Sequence, residues 1–190
     1  ADLVSGNGDG TKIVYLIPAM GGFTAGVSQA DSGAATGSDT TSMGVAYKIE
    51  SAGSTVTIGG ASTTTASTTA KDNSSNNIGL KFVSGDLKVT VAKGTFEGVD
   101  EDRNATGVAA SYKLANGITL GAYMVASDDD ADASEAYDVS GVEAQYTIAA
   151  GLTAVVNVND YDYKRGNAAD ADMSAVNNAG SSTSLTIKAA

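Results

Sequence analysis

The chain has 190 residues, with 22 acidic against 11 basic side chains for a formal charge of −11, and it contains no Cys, no His, no Trp and a single Pro. Without His or Cys, a Ser-His-Asp triad, a Cys nucleophile, a Cys/His zinc site and a disulfide framework are all excluded. Nucleic acid is a poor partner as well, because phosphate neutralisation needs clustered Lys and Arg, and the only arginines are Arg103 and Arg165.

Period-two alternation runs nearly the whole length, with almost no helical spacing. It predicts eleven strands, near 11 to 17, 22 to 30, 41 to 50, 54 to 60, 76 to 84, 86 to 96, 105 to 114, 118 to 127, 138 to 148, 152 to 161 and 182 to 189. Their connections alternate between two kinds. The tight ones are Pro18-Ala19-Met20-Gly21, Ser51-Ala52-Gly53, Ser84-Gly85-Asp86, Ala115-Asn116-Gly117 and Ala149-Ala150-Gly151, where Gly supplies the positive φ of a short hairpin. The long ones are polar, near 31 to 40, 61 to 75, 97 to 104, 128 to 137 and 162 to 181. Hairpins with variable loops therefore repeat, and one end of the assembly carries tight turns while the other carries long loops.

Each strand has an aliphatic face and a small or polar face. In 138 to 148, Val142, Ala144, Tyr146 and Ile148 oppose Gly141, Glu143, Gln145 and Thr147. In 152 to 161, Leu152, Ala154, Val156 and Val158 oppose Thr153, Val155, Asn157 and Asn159. Hydrophobic residues make up 42% of the chain, but Ala supplies much of that while Gly (23 residues), Ser and Thr are abundant, so a water-excluding core would be thin. A soluble sandwich accounts for the alternation alone. Aromatic placement favours a different solvent: Tyr15, Tyr47, Phe82, Tyr112 and Tyr146 lie just before tight turns and Phe23 just after one, as in the interfacial girdle of a membrane barrel. Strands near ten residues match a tilted membrane crossing, and most acids lie in the long loops. No stretch approaches the roughly 18 apolar residues of a spanning helix, and no signal peptide opens the chain, so the protein is cytosolic, has lost its export signal or is part of a longer product.

The run Tyr15-Leu16-Ile17-Pro18-Ala19-Met20-Gly21-Gly22-Phe23-Thr24-Ala25-Gly26-Val27-Ser28 resembles a hairpin of bacterial general porins, of alphaproteobacterial flavour, in which Tyr-x-x-Pro is followed by Gly-Phe-x-x-Gly-Val-Ser. Gln29 departs from the aromatic often found there, and Ala190 stands where a porin normally ends in Phe. The resemblance implies an all-β fold, an antiparallel transmembrane β-barrel of about 16 strands around water. Residues 1–190 would then be a single barrel domain, about eleven strands of it, lacking N-terminal strands and the pore-constricting loop. An odd strand count supports a piece of a larger barrel, since a closed antiparallel bacterial barrel has an even number. A complete small barrel of ten or twelve strands is the alternative.

The implied function is passive diffusion of ions and small hydrophilic solutes across the bacterial outer membrane, with no catalysis. Surroundings of lipid and lipopolysaccharide, a homotrimeric assembly and no nucleic-acid partner go with it. The pore-lining residues would be Lys48, Glu50, Lys81, Lys88, Lys113, Glu143, Gln145, Asn157, Asn159 and Lys188, either biasing ion passage or only hydrating the wall.

No cofactor is expected. The run Asp128-Asp129-Asp130-Ala131-Asp132 offers hard oxygen ligands suited to calcium, although such runs are more often solvated loops. Gly6-Asn7-Gly8-Asp9-Gly10 has only a superficial likeness to a calcium or phosphate loop and reads as a flexible lead-in to the first strand. The reading from another class is a secreted or surface-displayed β-rich structural protein, an adhesin or filament subunit. An outer-membrane enzyme is a remote third, weakened by the missing His.

Overall fold

The computed structural model describes residues 11–31, 38–67, 71–98, 102–129, 135–165 and 176–189. The lead-in 6–10 and the loop acids Asp100, Glu101, Asp130, Asp132, Asp170 and Asp172 lie outside them. Eleven strands follow one another: β1 (Thr11–Met20), β2 (Phe23–Asp31), β3 (Thr40–Ser51), β4 (Ser54–Thr65), β5 (Asn73–Ser84), β6 (Leu87–Glu97), β7 (Asp102–Lys113), β8 (Ile118–Asp129), β9 (Ala136–Ala149), β10 (Leu152–Arg165) and β11 (Val176–Ala189). All pair antiparallel with their sequence neighbours in one sheet whose edges are β1 and β11.

Every strand number matches its expectation, but the long-loop ends differ. β4 runs to Thr65, β5 begins at Asn73, β10 reaches Arg165 and β11 begins at Val176. The added residues, such as Thr63, Ser74, Asp162 and Ser181, are polar whichever face they take. Ladder hydrogen bonds hold them in strands although they carry no amphipathic alternation. The first tight turn also shifts. Pro18 and Ala19 belong to β1, at an irregularity between Ile17 and Met20, and the turn is Gly21-Gly22. A proline without a ladder N–H is accommodated at such a bulge on an edge strand. Gly22 has φ 87°. A Cβ there would stand 2.2 Å from the Lys48 carbonyl oxygen, and that same strand end donates Lys48 N–H to Gly22 O at 2.9 Å.

The sheet reverses the burial pattern of a water-soluble fold. Among the described residues, the buried apolar side chains are Ala25, Ala30 and Val155, whereas Ile78 (60%), Met124 (59%) and Leu185 (69%) are exposed. Along β8 the aliphatic Leu120, Ala122 and Met124 are exposed, while Thr119, Gly121 and Tyr123 on the other face are partly covered. The polar face is thus the concave one. A continuous apolar convex surface has no place in water and is the feature to be explained.

Pairing also staggers the strands. One row on the aliphatic face runs Phe23, Tyr47, Ile58, Leu80, Val91, Val108, Met124, Ser140 and Asp160. It begins at the first residue of β2, beside a tight turn, and ends well up β10 toward the long loops. Such a climb is the shear that accompanies strand tilt in barrels.

Candidate functional site

The concave wall is built by register. One row crosses nine strands as Lys48, Thr57, Lys81, Thr90, Ala109, Tyr123, Gly141, Asn159 and Ser182. The next row toward the tight turns is Glu50, Thr55, Val83, Lys88, Ser111, Gly121, Glu143, Asn157 and Ser184. Below it, Lys113, Thr119, Gln145, Val155 and Thr186 align, and Thr147, Thr153 and Lys188 follow. All ten lining residues expected from sequence thus share the concave face. Tyr15, Phe23, Tyr47, Phe82, Tyr112 and Tyr146 share the opposite one, and all but Tyr15, which lies mid-strand in β1, stand toward the tight-turn end of their strands.

Local contacts divide the wall. Lys48 pairs with Glu50 two residues along the same strand. Tyr123 donates its hydroxyl to Asn159 Oδ1 at 2.6 Å, and Asn159 Nδ2 donates to Ser182 Oγ at 3.1 Å. This chain ties β8 to β10 and β11 and lays the Tyr123 ring over Gly141, where a Cβ would meet ring and hydroxyl at 2.8 Å. Tyr161 covers Gly180 in the same way, with its hydroxyl 2.8 Å from a notional Cβ. Rings lying across glycines complete the wall in place of the missing side chains.

Sequence reasoning missed the aromatic half of this face. Tyr123, Tyr137, Tyr161 and Tyr163 all occupy concave register positions, with Tyr137 and Tyr163 edge to face at 6.3 Å. Parity could have found them, since Tyr161 and Tyr163 continue the spacing of Asn157 and Asn159. Lys12, two residues into β1, also falls on the concave side, aligned with Ala30 and Thr40.

Charge concentrates at the long-loop end. Arg103 Nε lies 3.9 Å from Asp129 Oδ2 and its Nη2 3.8 Å from Glu135 Oε2. The Asp129 side chain is only 4% exposed and accepts the Asp102 backbone N–H at 3.2 Å. Lys71 lies 3.5 Å from Asp102 and 3.9 Å from Glu97, linking the β4–β5 connection to the ends of β6 and β7. Asp128 and Asp129 alternate to opposite faces of β8. Among the described residues, no group of three His, Cys, Asp or Glu side chains is arranged to hold a metal.

A curved antiparallel sheet with an apolar convex face, an aromatic border and a polar concave wall is the architecture of a β-barrel wall that separates lipid from water. The family model for Gram-negative porins matches residues 2–187, and the chain belongs to that family. It is therefore a protein of the bacterial outer membrane. No curated protein sequence matches the chain. Among solved structures, it is similar to an anion-selective porin from Comamonas acidovorans, with TM-score 0.65 and 18% identity, over 93% of this chain and 57% of that one. It is also similar to in-vitro folded OmpT, an outer membrane protein of Vibrio cholerae, with TM-score 0.62 and 17% identity, over 93% of this chain and 62% of that one. At such identity the likeness is one of fold, and the chain spans less than two thirds of either relative. Family and neighbours point to a channel rather than an enzyme.

Proposed function

We propose that the chain forms a wall of a water-filled outer-membrane channel through which ions and small hydrophilic solutes diffuse passively. The observation that carries this reading is the register separation of the ten polar or charged lining side chains on the concave face from the six bordering aromatics on the convex face, with Lys93 of β6 a charged exception on the convex side. A charge on lipid-facing positions costs about 2–4 kcal/mol at mid-bilayer, whereas on a wet wall it costs little, so a water-filled concavity suits the five lysines that the register gathers on the concave wall. Lys48, Lys81, Lys88, Lys113 and Lys188 outnumber Glu50 and Glu143 there, which favours anions on this wall despite the acidic chain as a whole. The anion-selective porin of Comamonas acidovorans lends that preference support. Set in lipid and lipopolysaccharide, a homotrimer is the assembly that family membership favours.

The test is liposome swelling by the reconstituted full-length protein, with a salt-gradient potential measured on the same preparation. Rapid swelling in small saccharides, exclusion of large dextrans and a potential of anion-selective sign are the expected results. Folded protein that leaves liposomes impermeable to small saccharides would contradict the reading. A cation-selective potential would overturn the selectivity part alone.

A further inference from the structure

The concave wall contains a groove of about 260 Å³ whose two sides carry opposite charge. Lys81 of β5 and Lys88 of β6 stand on one side, and Glu143 of β9 stands with Tyr123 of β8 on the other. Between them the floor is made of Ala109, Ser111 and Gly121, residues too small to fill it. Register fixes the geometry: Lys88, Ser111, Gly121 and Glu143 share one row, so three strand spacings separate the cation from the carboxylate, about 14 Å between backbones. A Lys and a Glu side chain extended toward one another across that span would leave room for a solute of a few heavy atoms. Lys81 is the diagonal neighbour of Lys88, so both lysines stand on the basic side.

Among the described residues, Lys48 is paired with Glu50 and Arg103 with Asp129 and Glu135, but Lys81, Lys88 and Glu143 form no ion pair. The small floor residues keep the two sides apart. The acidic side is also the rigid one, because the Tyr123 hydroxyl is committed to Asn159 and its ring is seated over Gly141.

We propose that this groove is a transient binding site for small zwitterions of α-amino-acid type, with the solute carboxylate taken by Lys81 and Lys88 and its ammonium by Glu143. One molecule carrying both charges satisfies both sides at once, whereas a simple anion or cation leaves one side empty. The face of Tyr123 beside Glu143 adds cation–π attraction for the ammonium. This inference rests on the channel reading above and names a solute class that the channel would favour.

Four solutes on one carbon skeleton test it in liposomes containing the full-length protein: alanine (zwitterion), lactate (anion), alaninamide (cation) and lactamide (neutral). Alanine influx is expected to exceed that of lactamide by about fivefold and to saturate with concentration, the advantage two exposed charge contacts give together. Glu143→Gln should erase the alanine advantage while lactate still outpaces lactamide. The double variant Lys81→Gln/Lys88→Gln should erase it while alaninamide gains on lactate. Val158→Ala, on the convex face, should change none of the ratios. Equal alanine and lactamide influx through an open wild-type channel would overturn the groove and leave the channel standing, as would variants that shift all four solutes together. Failure of every solute to enter would instead overturn the channel reading. Unheated gel mobility verifies folding of each variant, and either charge variant alone suffices for the comparison.

Discussion

Tyr123 shows how a single side chain links wall stability to wall chemistry. Its ring fills the space above Gly141, and its hydroxyl bond to Asn159 at 2.6 Å passes the constraint on to Ser182 of β11. Gly141→Ala would put a methyl group where the ring and Asn159 Oδ1 already lie, at 2.8 and 2.9 Å. The ring must then leave, and the hydrogen bond goes with it, so a loss of about 1 kcal/mol in denaturant titrations of vesicle-folded protein is expected. In a Tyr123→Ala background the same glycine substitution should cost almost nothing, and additive costs would show that ring and glycine are not coupled. This contact was only partly legible in the sequence. Parity places Tyr123 and Gly141 on the polar face, but nothing in their spacing says that β8 and β9 bring them side by side. The cluster of Arg103, Asp129 and Glu135 was hidden for a different reason. Its members come from the ends of β7 and β8 and the connection after it, where polar residues occupy both faces and alternation carries no signal.

Strands are the units on which solvent acts, because neighbouring positions on one strand meet lipid and water in turn. On β10, Val156 is 42% exposed on the convex face, while Asn157 points to the concave wall opposite Glu143. Val156→Arg should therefore lower folding yield into lipid bilayers and destabilise the folded state by about 2–4 kcal/mol. Asn157→Arg, one residue away, should fold normally and shift only conductance and ion preference. Equal folding of both variants, or the opposite order, would contradict the facing assignment, and far-UV dichroism with gel mobility reads it out. The existence and order of all eleven strands were legible, and so was the facing of strands with clear alternation such as β9 and β10, since apolar alternation is imposed by the hydrocarbon itself. Strand ends were not. Beyond the bilayer, water accepts either face, so the polar extensions of β4, β5, β10 and β11 are set by ladder pairing that hydropathy does not record. Pro18 was misplaced in the turn for a related reason: a proline reads as a break, but an irregular edge strand absorbs it.

The molecule as a whole reconciles a composition poor in large aliphatics with a stable fold. A sheet in which both faces meet solvent rather than a packed core needs little bulk, so Ala, Val and a border of aromatics suffice on the convex side while Gly, Ser and Thr line the concave one. Its acidic balance is positional in the same way: the wall is lysine-rich, and carboxylates gather toward the long-loop end with Arg103 and Lys71 among them. Membership of the Gram-negative porin family gives this arrangement its place in the outer membrane. Single-channel recording of the detergent-folded full-length protein in a planar lipid bilayer shows whether the concave wall bounds an aqueous path. Discrete, long-lived, ohmic steps in potassium chloride are the expected result. Folded protein that inserts without conducting, or a protein that stays monodisperse in buffer without detergent, would contradict it.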